Sequence, residues 1–205
     1  MRIGLTGYGG FIGIILRKEL ENDGHCVYPI RTDEYKDIPS VDCLIHCARS
    51  HKNITGEITR EKWINEYITD VILPYEYSEM AIKHTDVKHI IFVSSIYGKS
   101  IPTVRHIPEN YIMAKAAELH LAKVLAVKYA PDVRVNAIVL GGVKSDRAEA
   151  LQDEEGFLEG YNNKTLLDRM VDPDEVYPMV KYLVESSKGI TGQEFIVDGG
   201  YTVRR

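Results

Sequence analysis

The chain has 205 residues, 44% hydrophobic and 27% charged, which suits one globular domain with a sizeable core. Its net charge of -5 gives no basic footprint for nucleic acid or for an anionic membrane surface. The longest apolar runs, such as Ile90 to Val93, are far too short to span a bilayer, and the N-terminus lacks a signal-peptide pattern, so a cytoplasmic protein is expected.

Arg2 to Thr6 reads as a short strand. Thr6-Gly7-Tyr8-Gly9-Gly10-Phe11-Ile12-Gly13 follows, and then Ile14 to Leu20 with helical spacing. Glycines between a strand and a helix allow a tight turn and a close backbone approach to a pyrophosphate. The helix start offers free N–H groups and partial positive charge to phosphate. Gly7, Tyr8, Gly10, Phe11 and Ile12 are therefore candidate cofactor contacts.

His25 to Ile30 looks like the second strand. An acidic residue near its end would take the ribose hydroxyls of NAD, whereas an arginine suits a 2′-phosphate. Arg31 stands there and favours NADP(H) over NAD(H), although Asp33 and Glu34 follow closely. Between Arg31 and Val41 there is little room for a helix and a further strand, and Pro39 interrupts the stretch, so one βα crossover is expected to be shortened. Val41 to Ala48 reads as a buried strand whose carboxyl end, at Cys47 and Ala48, approaches the cofactor crevice.

Arg60 to His84 carries a long helical pattern in which Pro74 predicts a kink or a break. His89 to Ser95 is a strand ending in two hydroxyls, and Ile96 to Glu109 is a loop. A helix then runs to about Tyr129, followed by a strand over Asp132 to Leu140. Residues 144–172 are polar and irregular and are expected to form a mobile lid or substrate loop. A helix starting near Pro173 and a strand over Gly192 to Val197 close the chain. Alternating strands and helices predict an α/β fold: a Rossmann-like, doubly wound parallel sheet in a single domain over 1–205.

Tyr111 and Lys115 stand four positions apart, which puts them on one face of the predicted helix. A phenol ordinarily ionises near ~10, and a neighbouring ammonium favours its phenolate form. The pair can thus act as a tuned proton donor or acceptor. The three cysteines, Cys26, Cys43 and Cys47, show no metal spacing and are expected to be buried reduced thiols. His106 and His120 lack metal-like partners in the sequence, and no metal site is expected.

Joined in order, these stretches resemble the short-chain dehydrogenase/reductase family over nearly the whole chain. The glycine turn resembles its cofactor loop, and Ser95, Tyr111 and Lys115 match its catalytic serine and Tyr-x-x-x-Lys. Arg134 to Val143 resembles the segment lining the nicotinamide, which implies contacts from Gly141 and Val143, and Ile190 to Gly200 resembles the C-terminal signature. The first half is similar to the extended, nucleotide-sugar branch and the second to the single-domain branch. The chain is read as too short for an appended substrate domain, so the single-domain form is expected.

Three positions depart from the family pattern. His46-Cys47-Ala48-Arg49 stands where Asn-Ala-Gly wording is usual, Asp70 occupies the place of a helix asparagine that helps hold a relay water, and Leu140 replaces a proline. The resemblance implies an NAD(P)-dependent oxidoreductase acting on a small carbonyl or alcohol, with Ser95, Tyr111, Lys115 and Asp70 at the chemistry. It also implies a homodimer or homotetramer built through the long helices. Alternatives are a nucleotide-sugar epimerase or dehydratase using bound NAD, and a non-catalytic dinucleotide sensor.

Overall fold

The strand β4 (His89–Ser95) is buried along its entire length, so both of its faces need cover. Ile90 and Phe92 enter one core, while Ile91 and Val93 enter the other. Such two-sided burial is the signature of a parallel sheet with helices on each face. The computed structural model describes residues 1–31, 38–50, 57–101, 107–145 and 157–203. Within them, β1 (Arg2–Thr6), β2 (Cys26–Ile30), β3 (Cys43–His46), β4, β5 (Arg134–Leu140) and β6 (Glu194–Val197) form one sheet in the order β2-β1-β3-β4-β5-β6. Every pairing is parallel.

One layer holds α3 (Leu73–His84) and α4 (Glu109–Tyr129), whose Tyr77, Ala81, Leu119, Ala122 and Leu125 meet Leu44, Phe92 and Val135. The other holds α1 (Phe11–Asn22) and α6 (Tyr177–Glu185), whose Leu16, Leu20, Val180 and Leu183 meet Ile3, Leu5 and Ile138. This is the doubly wound α/β architecture that the alternation implied. No helix joins β2 to β3 among the described residues, and β2 is the edge of the sheet. The crossover is shortened where the sequence suggested. Asp33 and Glu34 lie outside the described residues.

The long helical pattern over 60–84 is broken. It divides into α2 (Arg60–Tyr67), a π turn (Ile68–Ile72) and α3. Pro74 sits in the first turn of α3 and has no amide to offer the Asp70 carbonyl four residues back. The chain widens instead, and the Leu73 amide reaches back five residues to the Ile68 carbonyl. This register change aims the Asp70 side chain inward, where it is fully buried.

The second half of the expected lid is anchored. The short helix α5 (Phe157–Asn162) carries Tyr161, which is buried and stacks on Tyr201 with ring centroids 4.9 Å apart. Thr165, Met170 and Val171 are also buried, and Val171 pairs with Val143. Residues 146–156 lie outside the described residues, as does His106. The cysteines correct one expectation: all three are free and Cys43 is buried, but Cys26 is exposed, because it begins an edge strand.

Candidate functional site

The glycine turn closes against the end of β3. Gly7 has a positive φ of 67°, and a Cβ there would lie 2.6 Å from the Ala48 Cα and closer still to the Cys47 carbonyl oxygen. A Cβ on Gly13 would run into the Gly7 carbonyl. Only glycine permits both approaches. The Gly10 amide donates to the Gly7 carbonyl at 2.8 Å, and Gly10 opens α1 without any side-chain cap. The first-turn amides of α1, beginning at Phe11 and Ile12, therefore point out of a bare cradle suited to a pyrophosphate. Tyr8 packs on the core beneath it.

Thr6 locks the neighbouring strand end in place. Its hydroxyl accepts from the Cys47 amide at 3.0 Å and the Ala48 amide at 3.2 Å. Burial pushes the Cys47 thiol up to about 12, so it stays protonated. His46 bridges to the Ser78 hydroxyl at 3.0 Å, and burial pushes it down to about 3, so it is neutral. That residue ties β3 to α3 and leaves the site's charge to others.

The next residue, Arg49, is exposed and places its guanidinium 4.4 Å from the centre of the Tyr111 ring. Lys115 Nζ lies 5.9 Å from the same centre. The ring thus has two cations beside it, one from the segment after β3 and one from its own helix. Ser95 ends β4 and is nearly buried, and its Oγ accepts from the Tyr97 amide at 3.3 Å at the start of a tight turn (Ile96–Gly98). Gly98 lets that turn press on α4, since a Cβ there would sit 2.7 Å from the Lys115 carbonyl. The predicted serine and lysine are thereby held on adjoining elements.

Lys115 is almost wholly buried between two acids. Its Nζ lies 3.2 Å from Asp70 Oδ2 and 3.0 Å from Glu118 Oε2. Burial opposes the ammonium charge, but Asp70 and Glu118 outweigh it and hold Lys115 above the ordinary lysine value. Burial likewise raises Asp70 against the pull of Lys115 and Arg49. Burial pushes Glu118 up to about 7, with Lys115 and the Ser94 hydroxyl pulling the other way.

The remaining expected contacts lie further along the carboxyl edge. Gly141 and Val143 follow β5 directly after Leu140, which is in register with Ser95. Gly141 packs under Asp198, and the Gly142 amide donates to the Tyr161 hydroxyl. Arg31 is exposed beyond the end of β2, and its carbonyl accepts from the Tyr77 hydroxyl at 2.7 Å. β1 and β3 lie between its strand and β4, which ends in Ser95. Asn136 does not face the crevice; it stitches β5 to the approach of β6 through Ile190 and Gln193. Among the described residues no three His, Cys, Asp or Glu gather as metal ligands, and no helix is long and apolar enough to cross a membrane. Sequence reasoning missed Glu118 and the stacking of Arg49. The signal for Glu118 was available: three residues past Lys115 is the same helix face.

Residues 32–202 match the family described as Enoyl-(Acyl carrier protein) reductase. A tropinone reductase homologue of Arabidopsis thaliana is 34% identical over 154 residues, covering 73% of this chain and 56% of that protein. A second homologue from that plant is 31% identical over 156 residues, covering 73% and 57%. The chain spans little more than half the length of these relatives. Its fold superposes on a 4-hydroxyisoleucine dehydrogenase complexed with NADH at a TM-score of 0.87, with 19% identity and coverage of 100% and 99%. A gluconate 5-dehydrogenase from Burkholderia cenocepacia, in complex with NADP and tartrate, gives 0.80, 18%, 98% and 95%. The chain belongs to the short-chain dehydrogenase/reductase family.

Gly7→Ala is expected to destabilise the fold by more than ~1 kcal/mol, because alanine resists positive φ and its methyl meets the β3 end. It should also weaken dinucleotide binding. Denaturant unfolding and fluorescence titration with NADPH check both; a variant matching the parent in each would remove the cradle assignment.

Proposed function

We propose that this protein is an NAD(P)-dependent oxidoreductase that reduces the carbonyl of a small molecule, or oxidises the corresponding alcohol, at a Ser95-Tyr111-Lys115 site. The observation that carries the reading is the continuity of the bare glycine cradle with the Tyr111–Lys115 face of α4, bridged by Cys47, Ala48 and Arg49. Ligands of open α/β sheets bind at this carboxyl edge. The related folds complexed with NADH and NADP support a nicotinamide dinucleotide.

Gly7, Gly10 and the α1 amides would hold the pyrophosphate, and the segment at Gly141 and Val143 would flank the nicotinamide. When bound, the nicotinamide supplies or accepts a hydride. Tyr111 gives its proton to the oxygen of the carbonyl under reduction, and the Ser95 hydroxyl donates a hydrogen bond to that oxygen as its charge grows. Lys115, with its ammonium beside the phenol ring, would hold the nicotinamide ribose. Asp70, at the family's asparagine position, holds the ammonium directly. Arg31 favours NADP(H) through the 2′-phosphate.

The assembly is proposed to be a homodimer or homotetramer. Ile64, Ile68, Ile72 and Tyr75 form an exposed stripe at four- and three-residue spacing, and Met113, Val124 and Val127 form another along α4. Two adjoining apolar helix faces of this kind suit a second copy.

Tyr111→Phe should lower carbonyl-dependent NADPH oxidation by at least the factor of roughly 10²–10³ typical of one lost donor, with cofactor binding retained. Unchanged turnover would take Tyr111 out of the mechanism. Arg31→Ala should weaken NADPH binding and spare NADH; equal affinities in the parent, unmoved by the change, would refute the phosphate role. Ile72→Asp should convert the assembly to smaller species in sedimentation velocity, and a monomeric parent protein would end the oligomer proposal.

A further inference from the structure

Asp70, Lys115 and Glu118 are 0%, 3% and 2% exposed, and they come from two elements packed face to face. The groups facing them are the Ser94 hydroxyl of β4, the Cys47 thiol after β3 and the Tyr111 phenol of α4, with Arg49 at the solvent side of Asp70. The thiol and the hydroxyl carry no charge, and Arg49 is exposed. The buried cluster therefore sets two carboxyl groups against one ammonium. With both acids ionised it would hold an uncompensated negative charge out of water, which is heavily penalised. Neither Asp70 oxygen has a hydrogen bond from an amide or hydroxyl among the described residues, and the pull of the Ser94 hydroxyl on Glu118 is smaller than the push of burial.

We propose that Asp70 and Glu118 share one proton beside Lys115, and that Glu118 is a positioning residue which resupplies the ammonium after Tyr111 has protonated the substrate. The proposal rests on the oxidoreductase reading. Each reduction forms a C–H bond from the hydride and an O–H bond from the Tyr111 proton. The phenolate then takes a proton from Lys115 as Lys115 takes the proton of the acid pair and the Glu118 O–H bond breaks, so the ammonium keeps its charge throughout. A proton from solvent restores the pair, so the turnover consumes one proton in all. Oxidation runs the same transfers backwards. The titration fits this order: burial pushes the Glu118 carboxyl up to about 7 from an ordinary 4.5. A raised acid stabilises the fold fully below its unfolded value, and that contribution is lost as pH rises through about 7.

The test uses the full chain and two charge-balanced variants, Glu118→Gln and Asp70→Asn. Infrared difference spectra of the parent at neutral pH should contain a protonated-carboxyl band that is lost in either variant. Carbonyl-dependent NADPH oxidation by the parent should decline as pH rises through about 7. Both variants should move that midpoint by at least tenfold in proton concentration. A purely structural role would lower the rate by one factor at every pH and leave the midpoint alone. Absence of the band in the parent, or an unmoved midpoint in both variants, overturns the proposal. The infrared measurement needs no substrate: a band that behaves as expected in a protein reducing no carbonyl would confirm the shared proton and condemn the oxidoreductase reading instead.

Discussion

The burial of one ammonium organises the site. Lys115 Nζ is removed from water and must be met by anions, and Asp70 and Glu118 meet it from the π turn and from its own helix. Breaking such a buried pair on one side typically costs ~3–5 kcal/mol, because the partner is left charged and dry. Each supporting feature answers that demand. Pro74 and the widened turn aim Asp70 inward, and Gly98 lets the end of β4 close on the Lys115 backbone. Tyr111, one turn away, receives the field of the same cation.

The glycines act at the other end by the opposite means. Around Lys115 the chain is held by charge; around Gly7 it is held by the absence of side chains. Backbone meets backbone where β1 turns into α1 and where that turn touches Cys47 and Ala48. Thr6, with one hydroxyl serving two amides, joins the strands beneath. The result is a firm ledge from the start of α1 to the Tyr111 ring, spanned by Arg49.

Much of this was legible in the chain. The strand, glycine turn and helix at 1–20 and the two-sided burial of Ile90 to Val93 depend on local pattern, and the Tyr111–Lys115 spacing is a property of one helix. What escaped depends on register between elements. Pro74 marked a kink or break in the stripe from Trp63 to Tyr75, but that the break is a π turn which aims Asp70 inward shows only in the fold. Glu118 looks like a solvated helix charge until Asp70 is brought opposite. Tyr161 and Thr165 sit in a polar stretch whose composition suggests a loose loop, yet tertiary contacts bury both. Cys26 misled in the other direction, since its exposure follows from the strand order.

The trimmed link between β2 and β3 leaves a border. With no strand outside it among the described residues, β2 carries the outer rim of the sheet, and only Ile30 of its five residues is buried. Pro29 sits on that rim opposite Leu5. Proline has no ladder donor to give, and it is one of the devices by which native sheets discourage a foreign strand from docking alongside. Growth by sheet continuation, the route to fibres, is thereby hindered at this side.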